Sequence, residues 1–116
     1  MKGRSLVQFC QDILEAIAEI EGFTADVDFD AFSTNREKIL AIVKLLEILG
    51  EATKKIPDEV RSQYSSIPWK SIAGMRDMLV HEYWGIDVNV VWATVKDGLP
   101  PFKAAIAEIL SSLRED

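Results

Sequence analysis

Apolar residues return at steps of three and four along almost the whole chain, and that period constrains the fold more than any other feature. Leu6, Phe9, Ile13, Ala16, Ile17 and Ile20 keep it from about Ser5 to Glu21, where Gly22 is expected to stop the helix. Asp28, Phe29 and Phe32 predict a short helical turn. Asn35 is a capping residue for a second long helix, with Ile39, Ile42, Val43, Leu46 and Leu49 on one face and an end near Lys55. A glycine inside a helix costs about 1 kcal/mol against alanine, so Gly50 in this run implies close helix packing. Pro57 and Asp58 open a short helix ending near Tyr64. Pro68 opens another, expected from Trp69 to Trp84 and closed by Gly85. Asp87 caps a helix through Val88, Val91, Trp92 and Val95 that Gly98 is expected to close. Pro100 and Pro101 begin the last helix, which keeps Phe102, Ile106, Ile109, Leu110 and Leu113 in register. No strand alternation, repeat or low-complexity segment interrupts this pattern. The expectation is a single all-α domain over residues 1–116, an antiparallel bundle of long helices with short accessory ones.

Composition narrows the function. With 116 residues the chain can bury a modest core without metal or disulfide staples. Cys10 is the sole cysteine, which excludes an internal disulfide and fits a reducing cytoplasm. The first helix carries Gln8, Gln11, Asp12 and Glu15 and is no signal-peptide core, and no apolar run is long enough to cross a bilayer. Nineteen acidic against thirteen basic residues give a net charge of −6, which argues against a general nucleic-acid coat but not against a local cationic cleft. Lys54, Lys55, Arg61, Lys70 and Arg76 cluster in the middle third. Glu15, Glu19 and Glu21 read as a solvated face. One histidine and one distant cysteine cannot supply a usual zinc site, and the scattered glycines form no phosphate loop, so neither metal nor cofactor is expected.

The candidate chemistry lies in Arg76-Asp77-Met78-Leu79-Val80-His81-Glu82-Tyr83, which holds the chain's one histidine. It brings a fixed cation, a proton carrier and a modifiable hydroxyl into a short segment. On an uninterrupted helix, at about 100° per residue, Arg76 and Tyr83 share nearly one line and His81 lies about 140° away from Arg76. Asp77 stacks on His81 at the i, i+4 spacing, where its carboxylate can fix the imidazole tautomer. Spacing alone leaves two readings open. His81 and Arg76 are a catalytic pair, or they are an ordinary helical histidine and an arginine paired with an acid. Trp69, Tyr83 and Trp84 read as packing aromatics, and Met75, Met78 and Leu79 as core.

The segment Ile67-Pro68-Trp69 through Tyr83-Trp84-Gly85-Ile86-Asp87 resembles the core of HepT-like proteins of the HEPN superfamily. Their signature of Arg, four residues, His, one residue and Tyr is complete in Arg76, His81 and Tyr83. Asp12-Ile13-Leu14, Ile48-Leu49-Gly50-Glu51-Ala52, Val91-Trp92 and Leu99-Pro100-Pro101 follow as landmarks in family order, so the resemblance spans essentially the whole chain. It implies a HEPN-like homodimer with a composite cleft between two signature helices. It also implies a cytoplasmic ribonuclease toxin of a prokaryotic type VII toxin–antitoxin pair, acting on RNA. Arg76 and His81 would then be catalytic and Asp77 supporting. The partner would be an MntA-like nucleotidyltransferase antitoxin that transfers AMP to Tyr83. One departure is Asp77, where the family commonly has Asn; it adds a negative charge beside the substrate phosphate unless it orients His81 or pairs with Arg76. Two other classes remain open on sequence: a non-catalytic helical interaction module, and a nucleotide-binding accessory subunit of a nucleotidyltransferase.

Overall fold

The computed structural model describes residues 2–81 and 85–115, with the side chains of residues 2–5, Met78, Val80, His81 and Glu115 outside that description. The fold is all-α. Helix α1 (Lys2–Thr24) leads through α2 (Phe29–Ser33) into α3 (Arg36–Thr53). Short helices follow, α4 (Asp58–Arg61) with a 3-10 turn over Ser62–Tyr64, then α5 (Trp69–Ala73) and α6 (Met75–Leu79). Strands β1 (Val80–His81) and β2 (Gly85–Ile86) form a small antiparallel ladder. The chain ends on α7 (Val88–Ala93), a π-helical turn over Thr94–Gly98, and α8 (Leu99–Glu115).

Helix α1 is the centre of the bundle and packs on both α3 and α8. Its buried face is Cys10, Ile13, Ala16, Ile17 and Ile20; α3 contributes Ile39, Ile42, Val43, Leu46 and Leu49, and α8 contributes Phe102, Ala105, Ile106, Ile109 and Leu110. Each large aliphatic side chain removed from water on this scale contributes about 1.5–3 kcal/mol. Both pairings are antiparallel. Phe23 near the end of α1 meets Asn35, Lys38 and Ala41 at the start of α3, and Glu21 pairs with Lys103 at the start of α8 at 2.9 Å. Glu15, Glu19 and Glu21 are exposed, as expected of a solvated face.

Three side chains cap helices: Asn35 and Asp87 are the caps the sequence predicts, and Asp28, expected only within a short helical turn, is the third. The side chains of Asp28, Asn35 and Asp87 accept from the backbone N–H groups of Ala31, Lys38 and Val90. Close packing at Gly50 is also observed. A Cβ there would stand 2.9 Å from the carbonyl oxygen of Ile72 and 3.3 Å from Cβ of Met75, so the backbones of α3 and α5 meet without room for a side chain.

Three helix ends differ from expectation. α1 passes through Gly22 to Thr24, and the chain turns instead at Asp26, which takes the left-handed region at φ 59°. Gly98 does not separate two helices: the backbone stays helical from Val88 to Glu115 through the π turn, where the N–H of Leu99 reaches Thr94 O. Pro100 and Pro101 lack the N–H groups that a regular turn would use, so a widened turn before them forgoes few hydrogen bonds. Third, the helix expected to reach Trp84 stops at Leu79. A glycine turn at Gly74 divides it into α5 and α6, and the carbonyl of Leu79 accepts from the N–H of Asp87 at 3.0 Å instead of from the next helical turn. Val80 pairs with Ile86 and His81 with Gly85 in the ladder.

Arg61 clasps this half of the molecule. Its Nε donates to Ile56 O at 2.9 Å and its Nη2 to Thr53 O at 2.8 Å, which satisfies the last carbonyl of α3 and one in the turn that follows it. Its guanidinium lies 5.9 Å from the Trp69 ring centroid, and Trp69 Nε1 donates back to the carbonyls of Arg61 and Tyr64. Trp69 is buried edge-on against Phe102 at 5.8 Å, which makes it the packing aromatic that the sequence suggests.

Candidate functional site

Arg76 is the second residue of α6 and is exposed. It lines a cleft of about 330 Å³ with Ala73 of α5 and with Lys44, Glu47, Ile48, Gly50 and Glu51 of α3. The local sequence accounts for this placement. Met75 and Leu79, four residues apart, are buried and fix α6 by its inner face. Arg76 and Asp77 then fall outside, and both are exposed. Gly50 sets the depth of the cleft, because α5 rests on its backbone at Ile72 and Ala73.

The electrostatics of the cleft centre on Glu51. Its hydrogen bond and ion pair with Lys54, at 2.7 Å, hold its carboxyl below the usual range, and Lys55 and Arg76 add to the effect. Arg76 is therefore within Coulombic reach of an anion on α3. Lys44 and Arg76 line the cleft with Glu47 and Glu51, so a phosphate entering it meets two cations and competes with two carboxylates for them.

The remaining candidate residues stand as follows. Asp77 follows Arg76, exposed, with its N–H donating to Gly74 O at 3.1 Å. The His81 backbone belongs to β1, two residues beyond the end of α6, and its side chain lies outside the described set. Tyr83 lies outside the described residues altogether. Because α6 ends at Leu79, the angular relations of an uninterrupted helix do not hold: neither the Asp77–His81 stack nor the common line of Arg76 and Tyr83 follows from helix geometry. Lys44, Glu47 and Glu51 are cleft residues to which sequence reasoning assigned no role. Their signal was present as a polar edge at i, i+3 and i+4 steps on α3, but only the packing of α5 and α6 reveals what that edge faces.

Cys10 is fully buried in α1, and burial pushes its thiol up to about 11, so it is no nucleophile. No group of three or more metal-ligating side chains occurs among the described residues, and none of the described helices is long and apolar enough to cross a membrane.

Comparison with known proteins adds to this geometry. A family model described as ribonuclease HepT-like matches residues 13–109. A protein of Methanocaldococcus jannaschii named "Putative RNase" is 41% identical over 99% of this chain and 99% of its own length. A "Probable ribonuclease HepT" of Thermococcus cleftensis is 41% identical over 91% of this chain and 96% of its own. A "Putative RNase" of Caldanaerobacter subterraneus subsp. tengcongensis is 37% identical over 90% and 88% respectively. No solved structure gives a significant match.

Proposed function

The chain belongs to the ribonuclease HepT-like family and is an RNA endonuclease, and from that membership we propose that it is the toxin of a prokaryotic type VII toxin–antitoxin pair, acting in the cytoplasm. The observation that carries this reading is an exposed guanidinium, Arg76, at a cleft that Lys44 also lines and five residues before the chain's one histidine. Metal-independent RNA cleavage needs a base for the ribose 2′-hydroxyl and an acid for the leaving 5′-oxygen. One imidazole cannot perform both roles in the same step. Two copies of His81 brought together across a two-fold axis can, one neutral and one protonated. Two copies of Arg76 then hold the scissile phosphate and stabilise its growing negative charge. Asp77 supports the pair from the adjacent position. Exposed Leu40 and Ile48 on α3, the second of which lines the cleft, support a homodimer that meets beside the site.

In the same reading an MntA-like nucleotidyltransferase neutralises the enzyme by transferring AMP to Tyr83. A phosphodiester anion so close in sequence to Arg76 and His81 would compete for the cation that RNA requires. The test is cleavage of single-stranded RNA by the purified protein, with the product ends identified. Fragments ending in 2′,3′-cyclic phosphate and 5′-hydroxyl are expected, with activity retained in a chelator. His81→Ala should lower the rate by about 10²- to 10⁴-fold. Tyr83→Phe should cleave normally yet resist the antitoxin. Product 5′-phosphates, or full activity in His81→Ala, would sink the mechanism.

A further inference from the structure

The mechanism uses one cation of each chain, yet the surface around Arg76 carries more. Lys44, Lys54, Lys55 and Lys70 are exposed, on a chain whose net charge is −6. Their positions relative to the cleft differ in kind. Lys44 lines it directly, with the carboxylate of Glu47 beside it on the same wall. Lys54 and Lys55 follow the end of α3, and both act on Glu51 at the cleft wall. Lys70 stands one helical turn before Ala73, another wall residue, on the same face of α5. Arg61, which sequence alone grouped with them, is different: its donors are engaged by the carbonyls of Thr53 and Ile56, so it serves the fold. From Lys44 to Lys54 the axial distance along α3 is about 15 Å. That spacing fits successive phosphates of an extended strand better than one buried anion.

We propose that Lys44, Lys54 and Lys55 form a phosphate track along α3 that holds single-stranded RNA on either side of the linkage gripped by Arg76, with Glu51 as a built-in competitor for Lys54. This rests on the ribonuclease reading above and adds the residues that hold the strand on either side of the site. The track reads backbone charge and carries no base specificity. Glu51 sets its strength. With no RNA bound, its carboxylate holds Lys54 at 2.7 Å, so binding an RNA phosphate there means exchanging one anion for another. The exchange lowers affinity and lets products leave.

The experiment is RNA binding by the whole chain carrying His81→Ala, with a short labelled single-stranded RNA of mixed sequence as probe and a series of salt concentrations. Each phosphate contact to a single strand contributes about 0.7 to the slope of log affinity against log salt. Lys54→Ala with Lys55→Ala should therefore flatten the slope by about 1.4, and Lys→Arg at both positions should restore it. Glu51→Gln should tighten binding at low salt. Lysines that merely complement the carbonyl end of α3 would lower thermal stability when replaced and leave the slope unchanged, and that result overturns the track while the ribonuclease assignment stands. Failure of the parent protein to bind RNA at any salt, with no cleavage by the unsubstituted chain, overturns both.

Discussion

Single residues decide the geometry around Arg76, and the most exacting of them is Gly50. Its missing side chain lets the Ile72 carbonyl approach to a distance that an added Cβ would shorten to 2.9 Å. The neighbour is backbone and cannot swing aside. Gly50→Ala should cost about 1–3 kcal/mol in denaturant unfolding and should lower cleavage beyond what lost stability explains, because it drives α5 and α6 away from the wall that carries Glu51. A variant as stable and active as the parent would show that the contact has slack. The role of Gly50 was legible in the sequence as a glycine out of place in a strong helix. The role of Glu51 was not. A glutamate on an amphipathic helix looks the same whether it faces bulk water or a guanidinium on a neighbouring element, and only tertiary placement separates the two.

Among the elements, legibility followed the range of the forces involved. Asn35 and Asp87 cap their helices through hydrogen bonds to residues three positions away, so local sequence was enough to find them. Helix ends set by distant partners were missed. Gly22 has the propensity of a terminator, but α1 continues for two more residues because its buried face still has α3 and α8 to pack on. An added Cβ at Gly22 meets nothing within 4 Å. Gly22→Ala should therefore raise the melting temperature, by about 0.5–1 kcal/mol of stability, and a lower one would show that the glycine answers a need the packing does not reveal. The end of α6 was missed for a related reason. Met75 and Leu79 keep helical spacing, and nothing nearby announces that the Leu79 carbonyl will be taken by the N–H of Asp87. Gly85, which begins β2, has a φ of +154°, a conformation that side-chained residues rarely adopt. The expected helix terminator thus proved to be a strand glycine, which moves His81 from a helical face to a ladder.

For the whole molecule, periodicity alone recovered the all-α class, and the family resemblance supplied the activity. How chains associate was implied only by the resemblance. The outer face of α3 leaves Leu40 and Ile48 nearly half exposed, and Ile48 borders the Arg76 cleft. If the composite-site reading holds, Ile48→Asn should convert a dimer into a folded monomer by light scattering and abolish cleavage at dilute concentration, with partial recovery as protein concentration rises. A monomeric parent with full activity would require a one-chain mechanism.

The burial of Cys10 has a practical consequence. Its sulfur sits in the innermost layer, fully covered and protonated at neutral pH. Alkylating reagents can therefore reach it only when the bundle comes apart, so their uptake times that opening without any engineered label. The same inertness leaves a cysteine placed anywhere on the surface as the single reactive handle of the native protein.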